Sequence, residues 1–265
     1  MIQSRALLVL TLICGLLAPW PALGQPATLK WYVDHFTYFY RDPQPERLVG
    51  LIEKWQSDSG NRWDPYPPLV GFLAVVFREH PNWIERLVPP KLTRGSATAV
   101  AGALRLAGDP SVPPEVRSRI AQAGSDEILK RQLAGLPSQL LDLQITLPTH
   151  LDILWGAAFA SGDDRYVLKI IDFFAKTANQ SNQAALDIAK LATTMPGDPK
   201  GFGRSLRSKY GDRGVVQLVF AATALWALSS NARQHPFIKE TMVRYTNDRF
   251  GTPAATVIFL SIPRK

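Results

Sequence analysis

Four histidines, His35, His80, His150 and His235, are the side chains of this sequence with the widest chemical reach. His150 and Asp152 form an H-x-D triplet, and Asp34-His35 is a second His/Asp pair. A metal site needs three or four N, O or S donors converging on one point. In a helix, residues i and i+2 point about 200° apart, so His150 and Asp152 share an ion only if they lie ahead of its first turn. Pro148 and Thr149 permit such a start, with Thr149 as the cap. The sequence contains no H-E-x-x-H, C-x-x-C or run of carboxylates, so neither a metal nor a cofactor is expected. It has no G-x-S-x-G elbow or S-x-x-K, and Gly201-Phe202-Gly203 is a lone G-x-G without G-K-[ST]. A hydrolase-like enzyme whose site is assembled from dispersed His and Asp residues, His150 and Asp152 among them, is the alternative reading of function.

The remaining candidates belong to binding. Arg78-Glu79-His80-Pro81 and Arg233-Gln234-His235-Pro236 are two copies of one turn. An imidazole at such a helix end bonds the last free carbonyls and is favoured by the helix dipole. The functional version brings Arg78, His80, Arg233 and His235 onto one rim as an anion site. Residues 196–214 hold Lys200, Arg204, Arg207, Lys209 and Arg213 against Asp198 and Asp212. Their glycines and prolines predict a basic loop, which docks an acidic partner by summed electrostatics. Six aromatics crowd residues 31–40. Tyr32, Phe36, Phe39 and Tyr40 share a helical face that packs inward, whereas Trp31 and Tyr38 point elsewhere and line a groove.

Helices must position these groups. Leu69, Phe72, Leu73, Val76 and Phe77 recur at helical spacing, as do Leu151, Leu154, Trp155, Ala158 and Phe159, and Val167, Ile170, Ile171 and Phe174. Each set paints an apolar stripe that packs against a neighbour. Val215 to Leu228 is apolar nearly all round and reads as a central buried helix too short to cross a bilayer. Prolines recur between these stretches and open helices from the first turn. Ser161-Gly162-Asp163-Asp164 ends one helix with glycine and caps the next with aspartate. Residues 255–262 are the only β-branched run and fit a last helix or an extended tail. The fold class is all-α: an array of short antiparallel helix pairs, solenoid-like or an irregular bundle.

The 265 residues are 46% hydrophobic and 20% charged, with a formal charge of +8. That composition disfavours disorder, collagen and coiled coil. Arg5, an apolar run from Ala6 to Ala18, and Ala22 and Gly24 before Gln25 describe a secretory signal peptide over residues 1–24. The domain is then residues 25–265, carrying +7 and no cysteine, because Cys14 lies in the leader. A large cysteine-free exported domain fits a Gram-negative periplasm. Export also argues against nucleic acid as a partner.

The segments FYRDPQPERLVGLIEKW (39–55), YPPLVGFLAVVFREHP (66–81), LDILWGAAFASGDDRYVLKIIDFF (151–174) and ALWALSSNARQHPFI (224–238) resemble a group of exported helical proteins of Gram-negative bacteria. The resemblance implies an all-α fold and export, and brings no activity or site residues. The expected function is a non-catalytic interaction protein that binds a protein or an anionic envelope component through a groove or basic edge.

Overall fold

The computed structural model describes residues 31–59, 62–194 and 199–263, and side chains at 33, 34, 194 and 199–205 fall outside that description. Residues 1–24, where a signal peptide is expected, therefore lie outside the described residues. The fold is all-α, with no strand among the described residues. It divides into two compact units, one reaching Tyr166 and the other starting at Val167.

In the N-terminal unit, short π- and 3-10 turns over Val33–Leu48 lead into α1 (Leu51–Ser59) and α2 (Tyr66–Glu79). After α2 come α3 (Ile84–Leu87), α4 (Arg94–Leu106), α5 (Pro114–Ala123), α6 (Glu127–Gln132) and α7 (Pro148–Ser161). The stripe at Leu69, Phe72, Leu73, Val76 and Phe77 predicts one covered face. In the structure Val70, Gly71, Ala74 and Val75 are buried as well, so α2 is covered all round and is the central helix of this unit. Its main neighbours are α7 and α4.

The α2–α7 packing is a backbone-to-backbone approach. A Cβ at Gly71 would collide with the carbonyl of Ile153, and one at Gly156 would collide with the carbonyl of Pro68. Around this crossing Phe36 stacks on Phe72 at 4.6 Å and meets Trp55 at 5.0 Å, while Phe39 meets Phe72 at 5.3 Å.

Local chemistry sets the helix ends. Thr93 and Ser96 form a capping box at the start of α4, and Ser96 Oγ also donates to Gln56 Oε1 at 2.7 Å. Proline occupies the first turn of α2, α5 and α7, where its missing N–H has no intrahelical role. Gly162, with φ +67°, ends α7 in the left-handed region. Asp163 Oδ1 then accepts from the Arg165 amide at 2.9 Å, as the aspartate cap predicted.

The division between units falls in the first turn of α8 (Asp164–Ala178). The C-terminal unit adds α9 (Asn182–Thr194), α10 (Pro199–Ala232), α11 (Pro236–Asp248) and α12 (Pro253–Ser261). Here α9 packs on α10, and α12 packs on α11, α9 and α10. Phe173 meets Phe220 at 4.5 Å, and Asn179 Oδ1 accepts from the Ala254 amide at 2.9 Å to hold the start of α12. Residues 255–262 thus resolve as helix rather than tail, apart from Ile262, which follows its end.

The expected basic loop over 196–214 is a correction. From Pro199 it is helical, interrupted only at Gly211, where φ is +64° and ψ 172°. Leu206 is buried and α10 lies along α9, so packing overrides the helix-breaking bias of Gly201 and Gly203. Within α10, Leu206–Ala232 is long and apolar enough to cross a membrane, but 61% of its apolar window is buried within the protein, the pattern of a core helix. From Ala221 to Ala232 every residue except Trp226 and Ser229 is buried, whereas Val216 is exposed.

The glycine crossing yields the first test. Gly71→Ala or Gly156→Ala forces backbone apart and should destabilise by about 1–3 kcal/mol or more, the usual range for overpacking. Urea unfolding compared with Gly102→Ala, also within a helix and at an ordinary φ, whose added Cβ meets only the movable end of the Leu133 side chain, checks that collision with backbone rather than glycine loss is responsible.

Candidate functional site

His150 and Asp152 do not converge. The N-cap of α7 is Leu147, and Pro148 is its first residue. Thr149 is accordingly inside the helix and buried, not the cap. Both H-x-D residues are helical, so their side chains diverge. His150 is buried, with Nδ1 2.8 Å from the Gln144 carbonyl and 3.2 Å from the Thr146 amide. Burial pushes its imidazole down, opposed by hydrogen bonds to the Gln144 and Gln132 carbonyls. The ring fastens the segment before α7 rather than facing a substrate. Asp152 stands on another side of the helix, where burial pushes its carboxyl up to about 7. No group of three His, Cys, Asp or Glu residues among the described residues is arranged to hold a metal.

The two Arg-x-His-Pro turns also differ. Arg78 Nη1 donates to Tyr166 Oη at 3.2 Å and Nη2 to Glu79 Oε1 at 3.0 Å, so its charge is engaged inside the N-terminal unit. The His80 ring stacks on Trp83 at 3.7 Å instead of turning to the helix end. Arg233 is exposed, but His235 is 0% exposed and lies against Phe237. A fully buried imidazole cannot line a rim, which corrects the proposed four-residue anion site.

Of the four aromatics expected to pack inward, two do so: Tyr32 and Tyr40 are only half-buried, because the segment forms short π- and 3-10 turns rather than one regular helix. Phe36 and Phe39 are buried, and Tyr32 Oη donates to Asp58 Oδ2 at 3.0 Å. Trp31 and Tyr38 are half-buried. Trp31 stacks on His35 at 4.4 Å, and the Arg41 guanidinium covers the Tyr38 ring at 4.2 Å. Both rings are engaged by neighbours rather than set along an open groove.

Of the basic candidates, Lys200 and Arg204 lie in the first turns of α10, with side chains outside the described part. Arg207 pairs with Asp212 at 3.6 Å, and Arg213 is exposed. Lys209 has a structural partner: it reaches Asp187 Oδ2 at 2.9 Å, an oxygen that also accepts from Tyr210 Oη at 2.7 Å. Gln183 donates to Oδ1 of the same carboxylate at 3.0 Å. Asp187 is only 6% exposed. Burial works to raise its carboxyl, but Tyr210, Lys209 and Gln183 outweigh that and hold it below the usual range. This carboxylate fastens α9 to α10 and was not among the sequence candidates.

Sequence reasoning also missed a surface on α11 and α12. A groove of about 500 Å3 runs along α11, where Lys239 and Arg244 stand beside Glu240 and Asp248 around Val243. Just beyond it Phe250 is 92% exposed, and α12 leaves Phe259 60% and Leu260 67% exposed. A second hollow of about 510 Å3 in the N-terminal unit has mixed charge, with Arg62 and Arg94 beside Asp126. Asp126 Oδ1 is committed to the Ile128 and Leu129 amides at the start of α6.

Charge is divided as unevenly as exposed apolar surface. Residues 167–265 carry fourteen Lys and Arg against six Asp and Glu, a net +8, whereas residues 25–166 carry fifteen against sixteen, a net −1. Six of the nine large hydrophobic side chains exposed among the described residues also belong to the C-terminal unit. No family model, no curated protein and no solved structure matches the chain.

The two perturbed carboxyls give opposite pH dependences. Asp152 has a folded pKa raised from 3.8 to about 7, so the folded state holds a proton that the unfolded chain releases between those values. Its contribution to stability is present below that window and is lost as pH rises through it. Asp152→Asn should remove that loss, leaving the variant more stable than the parent above neutral pH in urea titrations. Asp187 is depressed, so its contribution is present at neutral pH and is lost on acidification through the folded pKa. Asp187→Ala should cost about 1–3 kcal/mol at neutral pH for the lost hydrogen bonds, and the deficit should shrink in acid.

Proposed function

We propose that the chain is a non-catalytic helical binding protein that docks an anionic envelope component through its C-terminal unit. The observation that carries this reading is the charge segregation: the whole net charge of +8 resides in residues 167–265. Such a concentration creates a positive potential that draws and orients an anionic partner. Arg213, Arg233 and Arg249 are exposed on this unit, and Arg207 and Lys209, although paired, stay part of its field. An exported location is consistent with the leader-like residues 1–24. No catalytic residue is assigned.

Sedimentation of the full chain with isolated envelope fractions tests the reading. Binding should weaken as salt shortens the electrostatic range to below about 10 Å. Neutralising Arg213, Arg233 and Arg249 to Gln should weaken it by roughly tenfold or more, since each basic residue near an anionic surface contributes about 1 kcal/mol. Neutralising Arg47, Arg86 and Lys130 of the N-terminal unit should leave it unchanged. Equal effects from the two sets, or binding indifferent to salt, would remove the charge division as the basis of function.

A further inference from the structure

We infer that the α11–α12 hairpin is a membrane-insertion element which, resting on the anionic-surface reading above, seats Phe250, Phe259 and Leu260 at headgroup depth in an anionic phospholipid bilayer. The sequence of α12, PAATVIFLS, has no charged side chain. A helix apolar around most of its girth is normally covered on all sides. Here Ala254, Ala255, Val257 and Ile258 are buried against the unit, while Phe259 and Leu260 remain open to water. Phe250 stands in the turn that joins α11 to α12, where Gly251 takes φ +86°. Two large aromatic side chains left this exposed forgo burial that would be worth about 1.5–3 kcal/mol each.

Length and charge say what covers them. Nine residues of helix rise about 14 Å, less than half of the roughly 30 Å hydrocarbon core. Such an element cannot span a bilayer, but it can lie in the interface with its apolar side down. Lying parallel to the surface brings both ends of α12, the Phe250 turn and the Phe259–Leu260 pair, to the same depth. Cations bracket these side chains. Arg249 precedes Phe250, Arg264 and Lys265 follow α12 in sequence, and Lys239 and Arg244 flank Val243 along α11. Residues 236–265 hold five basic side chains against Glu240 and Asp248. A second copy of the chain would bring one +8 unit against another, and that repulsion disfavours self-association through this face. Anionic headgroups over an apolar interior complement both properties at once.

The test is flotation of the full chain with vesicles of phosphatidylglycerol and phosphatidylcholine, against phosphatidylcholine alone, at low and high salt. The parent should float with the anionic vesicles and stay partly bound at high salt. Phe250→Ser, and separately Phe259→Ser with Leu260→Ser, should each lower high-salt binding by roughly tenfold or more. Their circular dichroism should match the parent, because the replaced side chains already face water. All variants share residues 1–24, so a difference between them belongs to the hairpin. Binding by Phe250→Ser and the double variant equal to the parent at every salt concentration overturns insertion, while leaving electrostatic docking intact. A parent that ignores both vesicle types yet binds envelope fractions in a salt-dependent way assigns the surface to an acidic protein and overturns the bilayer. A parent that binds neither removes both readings.

Discussion

The closeness of α2 to α7 is the constraint around which the N-terminal unit is arranged. Gly71 lies against the Ile153 carbonyl and Gly156 against the Pro68 carbonyl, so each helix supplies the gap that the other's main chain fills. With side chains removed at the crossing, dispersion contacts form between backbones and the flanking rings close over them. Phe36, Phe39, Trp55 and Phe72 form that cover. The aromatic N-terminal segment is therefore a consequence of the crossing, since it walls a core whose centre is already fixed. The obstacle to any larger residue is main chain, which cannot adopt another rotamer.

The C-terminal unit is held differently. Its helices carry core side chains such as Ile170, Phe174, Leu225 and Met242, and it adds the buried Asp187 carboxylate, satisfied by Gln183, Lys209 and Tyr210. A buried carboxylate with three donors ties α9 to α10 by direction as well as by area. It also engages one cation of a strongly positive unit. The many others give the unit its field, while α12 leaves hydrophobic side chains uncovered beside them. Basic and apolar surface thus coincide on one unit.

The elements were legible where local signals and packing agreed. Helical periodicity placed α2, α7 and α8, proline marked first turns, and the Gly162–Asp163 junction folded as its residue types required. Other features depended on information that a local reading does not contain. Residues 199–214 resembled a loop in composition, but buried Leu206 and the contact with α9 made them helical. His80 and His235 share a sequence context, yet one stacks on Trp83 and the other is fully enclosed, because tertiary neighbours decide where an imidazole goes. The charge division was present in the sequence from the start. It became visible only once a boundary was placed within a helix, where no composition shift marks it. The exposure of Phe250 likewise follows from what fails to pack on it, and spacing does not encode that.

Gly211 has a consequence for how the molecule opens. Its φ of +64° interrupts α10 between the segment carrying Lys209 and Tyr210 and the apolar segment that enters the core. Helical cooperativity passes poorly through such a break, since the residues beyond it must nucleate anew. Residues 199–210 therefore form an opening unit of their own, retained by Leu206 and the Asp187 carboxylate rather than by the length of the helix. Their amides should exchange with solvent in a step separate from that of 212–232. Part of the basic surface accordingly belongs to a segment that can loosen while the core remains folded.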